Sequence, residues 1–155
     1  MGRVDEQITS RRKASIVIDA LLRATNDHDL DALVACFDED YVNDTPVHPS
    51  RGFRGNAQVR RNWTQILAAV PDLHAGVLRR AIDGDSAWTE WEMSGTRQDG
   101  TAFLMRGVVI FDVSDDKIAA ARFYLEPVDE TGGDVNAAVS HLTATAGGDA
   151  AGSGS

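Results

Sequence analysis

Residues 102–127, AFLMRGVVIFDVSDDKIAAARFYLEP, contain two long apolar-rich runs separated by the short turn segment SDDK. Runs this long joined by so short a turn predict two antiparallel neighbouring strands. In the second run Arg122, Tyr124 and Glu126 fall on one strand face, and Phe123 and Leu125 fall on the other. Whether the polar face meets water or an interior cavity decides what this last strand can do.

Two earlier runs extend the same pattern towards the N-terminus. The segment LHAGVLRRAI (73–82) ends at the turn DGDS, and AWTEWEMSGT (87–96) ends at RQDG. Each is bounded by Gly, Asp and Ser, which are typical turn residues. We therefore expect strand after strand with antiparallel neighbours, preceded by a short strand within DYVNDTPVHPSRGFRG (40–55).

Three helices are predicted before these strands. Residues 5–26 carry an apolar stripe at near-helical spacing, formed by Ile8, Ala14, Ile16, Val17, Ala20, Leu21 and Ala24. Asp29 is placed to cap a short second helix, LDALVACF, in which Cys36 is a small buried residue. Asn56 is placed to cap a third helix over 57–70, whose stripe comprises Val59, Trp63, Ile66, Leu67 and Val70.

Helices followed by strands predict an α+β fold. We expect three N-terminal helices packed on a strongly curved antiparallel sheet, which forms a cone with an internal pocket for a small molecule. This domain spans residues 1–128. Residues 129–155 are rich in Gly, Ala, Ser and Thr and predict a mostly disordered tail, in which AVSHLTA could form a helical turn.

Charge and composition exclude several classes of function. The net charge of −9 and the pI of about 4.7 argue against nucleic-acid and anionic-membrane partners. Four scattered histidines and one cysteine give no zinc-ligand spacing. Because Gly-rich phosphate and dinucleotide motifs are also missing, we expect no metal and no cofactor. The single cysteine and the interrupted N-terminal apolar pattern predict a cytoplasmic protein.

Four segments of the sequence resemble a known family. They are DLDALVACFDEDYVNDTPV (29–47), GFRGNAQVRRNW (52–63), WTEWEMSGTR (88–97) and DDKIAAARFYLEPV (115–128). Together they resemble the SnoaL-like branch of the nuclear-transport-factor-2-like, or ketosteroid-isomerase-like, superfamily over about residues 10–128. The resemblance implies a cone that encloses a pocket, and a homodimer formed through the outer sheet face.

The family's catalytic devices are incomplete at the matching positions. Where steroid isomerases place their aspartate base, this chain has Thr45, and Leu21 and Val109 stand where their oxyanion donors would be. Limonene-epoxide hydrolases use an Asp–Arg–Asp arrangement, of which the last-strand carboxylate matches Glu126. The arginine and the other aspartate of that device match Trp91 and Met93.

The resemblance and strand parity together predict an inward-facing set: Asn43, Thr45, Trp91, Met93, Phe103, Met105, Tyr124 and Glu126. Within it we assign Glu126 as the acid/base group, and Tyr124 and Asn43 as hydrogen-bonding partners of a substrate oxygen. The other members, with His48 in the HPSRG loop and Trp63, are assigned to substrate binding.

Each assignment has a structural alternative. Glu126 could pair with Arg122, Tyr124 and Trp63 could belong to the core, and His48 could be solvated. Asp44 could act as the base if its strand carries a bulge.

The leading function is a cofactor-free enzyme that opens epoxides, isomerises or cyclises a mostly apolar, oxygenated substrate. The alternatives are a non-catalytic module that binds a hydrophobic ligand in the same pocket, and a dimeric scaffold whose cone is filled.

Overall fold

The computed structural model describes residues 2–145. Its helices are α1 (Gly2–Asn26), α2 (Leu30–Ala35), α3 (Asn56–Ala69) and α4 (Val135–Thr143), with a short 3₁₀ helix at Pro49–Arg51. Its strands are β1 (Phe37–Asp44), β2 (Phe53–Arg54), β3 (His74–Asp83), β4 (Ser86–Thr96), β5 (Ala102–Ser114) and β6 (Lys117–Pro127). The segment 146–155, predicted to be disordered, lies outside the described residues.

The strands form one curved, unclosed sheet in the order β2-β1-β6-β5-β4-β3. The predicted hairpins β3–β4, β4–β5 and β5–β6 are antiparallel. The first strand, however, pairs with the last one in parallel, with Val42 opposite Ala120. The α+β class is therefore confirmed, and the expectation of a purely antiparallel sheet is wrong.

The first three helices, α1, α2 and α3, cover one face of the sheet and bury the core against it. α1 contributes Val17, Ile18 and Leu21, which are almost fully buried. Ile8 and Ile16, which the predicted stripe included, are 48% and 64% exposed. The stripe is thus centred on Ile18, and these two residues lie beside it.

The helix ends follow local rules at α2 and depart from them at α3. The Asp29 carboxylate accepts a hydrogen bond from the Ala32 amide at 3.0 Å, as expected for an N-cap. At α3 the cap position is Gly55 with φ of +89°, a conformation that suits glycine. Asn56 is already helical, so its predicted role as the cap is wrong.

Two further features lie away from the core. The outer sheet face carries Trp88, which is half exposed, and an Arg106–Glu92 ion pair of 2.8 Å that links β5 to β4. α4 is longer than the expected single turn, and its apolar side chains are exposed. Within residues 2–145, no helix is long and apolar enough to cross a membrane.

Candidate functional site

A cavity of about 370 Å³ lies between the inner face of the sheet, α3 and the loop after β1. Most of its lining is apolar: Phe37, Tyr41, Phe53, Val59, Trp63, Ile66, Met93, Phe103, Met105, Phe123 and Leu125. The polar groups are few, namely Asn43, Thr45, Arg51, Asn62 and Glu126. An apolar wall with a few convergent polar groups is the usual composition of a small-molecule site.

The inner face of β1 carries a row of buried polar side chains. Tyr41, Asn43 and Thr45 share this face because alternate strand residues point the same way. The Tyr41 hydroxyl donates to Asn43 Oδ1 at 2.8 Å, and Asn43 Nδ2 donates to Thr45 Oγ1 at 3.3 Å. Burial raises the pKa of Tyr41, so its hydroxyl stays protonated. The row therefore holds its donors in fixed positions.

The row ends in unused donors. Within residues 2–145, neither the Thr45 hydroxyl hydrogen nor the second Nδ2 hydrogen of Asn43 has an acceptor. A threonine hydroxyl has one donor and an asparagine amide has two, so one of each is available. Because both side chains line the cavity, these hydrogens can be offered to an oxygen of a bound molecule.

The loop after β1 folds back over one end of the cavity. The His48 amide donates to the Thr45 carbonyl at 2.9 Å, and the Arg51 amide donates to the His48 carbonyl at 2.9 Å. Pro49 begins the 3₁₀ turn, where a residue without an amide hydrogen costs no hydrogen bond. This compact turn places His48 and Arg51 at the mouth of the cavity.

His48 and Glu126 form a pair at this mouth. The distance from His48 Nε2 to Glu126 Oε1 is 2.9 Å, and their side chains are 35% and 39% exposed. Glu126 also lines the cavity, so this pair joins a carboxylate inside the site to an imidazole on the loop. The alternative pairing of Glu126 with Arg122 is wrong, because Arg122 lies 3.7 Å from Asp44.

Most of the other predicted site residues line the same cavity. They are Asn43, Thr45, Trp63, Met93, Phe103 and Met105. Trp91 lies deeper and is 2% exposed, with its indole N–H donating to Thr89 Oγ1 at 2.7 Å. It lines an adjoining inner space of about 30 Å³, together with Leu21 and Val109.

Tyr124 does not line the cavity. Its neighbours Phe123 and Leu125 do, which puts Tyr124 on the outer face of β6. The parity assigned to this strand is therefore wrong by one residue. Glu126 still reaches the cavity because it is next to the strand end at Pro127, where its long side chain extends to the loop at His48.

Three polar lining residues were not predicted: Tyr41, Arg51 and Asn62. Strand alternation from Asn43 would have indicated Tyr41. Asn62 follows Val59 by three residues on α3, so it interrupts the apolar stripe with a polar group. Arg51 had no sequence signal, because its position depends on how the loop folds. Within residues 2–145, no three His, Cys, Asp or Glu side chains group as a metal site.

A curved sheet whose helix-covered face encloses an apolar cavity with a few polar groups defines the cone-shaped α+β class. Within that class, the chain belongs to the SnoaL-like domain family, whose model matches residues 18–121. No curated protein matches the chain.

Several solved structures share the fold. An LEH-like epoxide hydrolase from Mycobacterium tuberculosis is 20% identical, with a TM-score of 0.65, and the match covers 75% of this chain and 84% of that protein. A putative polyketide cyclase from Sinorhizobium meliloti is 24% identical, with a TM-score of 0.56 and coverage of 71% and 93%. A second M. tuberculosis protein, solved with estradiol-17β-hemisuccinate, is 20% identical, with a TM-score of 0.63 and coverage of 72% and 92%.

Proposed function

We propose that this protein is a cofactor-free enzyme that performs acid/base chemistry on a mostly apolar, oxygenated small molecule. Epoxide opening, isomerisation and cyclisation are the reactions that fit. The observation that carries the proposal is the Glu126–His48 pair, which joins a carboxylate to an imidazole at 2.9 Å on the edge of an apolar cavity. Such pairs supply a positioned proton acceptor.

In the proposed reaction Glu126 acts as the general base. Its Oε1 atom is held by His48, which leaves Oε2 to take a proton from a water molecule or from an activated C–H group. The carboxylate becomes a carboxylic acid, and negative charge develops on a substrate oxygen. The protonated Glu126 then returns this proton to the product, while His48 keeps the carboxyl group oriented at the mouth of the cavity.

The polar row on β1 supports the developing charge. The bonds within the row fix the Asn43 amide, so its free hydrogen needs no reorganisation when charge appears on the substrate oxygen. The Thr45 hydroxyl hydrogen can rotate towards the same oxygen. Trp63, Phe103 and Met105 would hold the apolar body of the substrate.

The neighbouring structures support the class of chemistry at the level of the fold. One is an epoxide hydrolase and another a putative polyketide cyclase, and both share the cone. In the resemblance to epoxide hydrolases, Glu126 occupies the place of the last-strand carboxylate, while Trp91 and Met93 replace the other two members. The proposal therefore rests on Glu126 with His48 and leaves the three-residue device aside.

The test compares two glutamate-to-glutamine variants. Glu126→Gln removes the base and keeps the size of the side chain, and Glu92→Gln changes a carboxylate that pairs with Arg106 on the outer face. After a screen of epoxides, lactones and ketones, we expect Glu126→Gln to lose about 10²–10⁴-fold in kcat with little change in binding. Unchanged turnover by Glu126→Gln would refute the proposal.

The second candidate is a non-catalytic module that binds a hydrophobic ligand. The mostly apolar lining favours it, as does the neighbour solved with a steroid hemisuccinate. The two functions are separated by following the bound ligand over time. An enzyme converts it at a rate that Glu126→Gln lowers, whereas a binding module releases it unchanged.

We also propose that a second copy of the chain covers the outer sheet face. Trp88 is 50% exposed and Leu78 is 53% exposed, so a second copy that covered them would remove apolar surface from water. Light scattering of the parent protein should give twice the mass of one chain, and the Trp88→Glu variant should give the mass of a single chain. A monomeric parent protein would contradict this.

The cytoplasmic location stays a prediction.

A further inference from the structure

The charged side chains that line the cavity differ in whether they have a partner. Glu126 and Arg51 are the charged side chains among the described residues that line it. Glu126 is paired with His48 at 2.9 Å. Arg51, in contrast, has neither an ion pair within 4.0 Å nor a side-chain hydrogen bond within residues 2–145. Among the described residues, the cavity lining thus holds one guanidinium without a partner and one carboxylate that is already paired.

The remaining polar groups show the same excess of donors. Asn62 accepts a hydrogen bond from Gln58 at its Oδ1 atom, at 2.8 Å, so both of its Nδ2 hydrogens stay available. Asn43 and Thr45 each keep one free hydrogen. Arginine adds five N–H donors and no acceptor. A ligand that satisfies this lining must therefore be rich in acceptor oxygens.

We propose that Arg51 binds a carboxylate of the ligand, so that the substrate class is an apolar small molecule with a carboxylic acid. This inference rests on the proposed function of the cavity and extends it. A guanidinium matches the two oxygens of a carboxylate in a bidentate arrangement. A phosphate fits less well, because its second negative charge would meet Glu126 in the same cavity.

The same inference fixes the orientation of the substrate. The acid group lies at the mouth with Arg51, which is exposed on the 3₁₀ turn. A second oxygen, such as a carbonyl or an oxirane, lies against the hydrogens of Asn43 and Thr45. Two polar anchors joined by an apolar body position the reacting atoms near Glu126 and reduce the entropy that the reaction must overcome.

The experiment uses two probes of nearly equal shape, 4-(naphthalen-2-yl)butanoic acid and its methyl ester. Binding to the full chain is measured by calorimetry. We expect the acid to bind about tenfold more tightly than the ester, as a charge-assisted hydrogen-bond pair would give. Arg51→Gln should bring the acid to the affinity of the ester and leave the ester unchanged. Added salt should weaken only the acid.

Arg54→Gln is the matched control, because Arg54 on β2 lies with Glu39, Asp40 and Gly55 and does not line the cavity. It should leave both affinities unchanged. Equal binding of acid and ester to the parent protein, or an acid affinity that Arg51→Gln does not alter, overturns the carboxylate site and leaves the Glu126 proposal standing. If neither probe binds, the proposal of a carboxylate site at Arg51 is overturned. The proposed function is decided separately, by the kinetics of Glu126→Gln.

Discussion

Replacing Tyr41 with phenylalanine removes one buried hydroxyl group and retains the ring. The ring packs edge-on against Phe37, with centroids 4.8 Å apart, and against Phe53 at 5.9 Å. Those contacts persist in the variant, so the change isolates the 2.8 Å bond to Asn43 Oδ1. Tyr41 is 1% exposed and Asn43 is 8% exposed.

The expected loss is about 1–2 kcal/mol of unfolding free energy. A buried hydrogen bond contributes about 1 kcal/mol net, and an acceptor left without a donor adds a desolvation cost of about 1 kcal/mol or more. The cavity limits that cost, because water can reach Asn43 from it. Urea denaturation should show a lower midpoint with an unchanged slope.

The second tyrosine provides the control. Tyr124 is half-buried on the outer face, and within residues 2–145 its hydroxyl makes no hydrogen bond. Tyr124→Phe should therefore leave the midpoint unchanged. In an Asn43→Leu background, Tyr41→Phe should cost less than it does alone, because the two groups are coupled. Equal effects of the two tyrosine substitutions, or additive losses in the double variant, would refute the proposed buried polar row.

Two further predictions concern the sheet and the response to acid. Gly107→Ala should lower the free energy of unfolding by about 2–4 kcal/mol, measured by thermal or urea denaturation. The reason is that φ at Gly107 is +155° and a new Cβ would lie 2.7 Å from Leu125 Cα on β6. Gly76→Ala is the control and should leave stability unchanged, because a Cβ at Gly76 would have no atom within 4 Å. A hydrogen bond from the Thr96 amide lowers the pKa of Asp72 below 3.8, so its contribution to stability is present above that pH and is lost as the pH falls through the lower folded value. Asp72→Asn should flatten this part of the pH–stability curve, and an unchanged curve would argue against the contact.

Local patterns in the sequence predicted the elements well. The apolar stripe of α3 and the Asp29 cap of α2 depend on residues within one or two turns, and both appear in the structure. The same holds for the hairpins, where a short turn dictates antiparallel pairing. The parallel contact between β1 and β6 joins residues about 80 positions apart, and no local signal reports it.

The site was harder to predict than the fold, for a geometric reason. Strand alternation shows which residues share a face, but it does not show which of the two faces points into the cavity. On β6 the prediction assigned the two faces the wrong way round, which misplaced Tyr124. Glu126 reaches the cavity through its length and its position at the strand end, which alternation does not describe. The contacts of His48 and Arg51 depend on the fold of the loop, which no periodicity encodes.

Cys36 is the single cysteine of the chain and is buried, with its thiol donating to the Ala32 carbonyl at 3.4 Å. Burial raises its thiol pKa and outweighs the opposite effect of Lys117, which makes the group a poor nucleophile. A second cysteine introduced at exposed Ser50, beside Arg51, would be the reactive one. Because Cys36 reacts poorly, fragments that carry a disulfide would exchange with the introduced cysteine and release their other thiol, and those that fit the cavity would be retained and identified by mass.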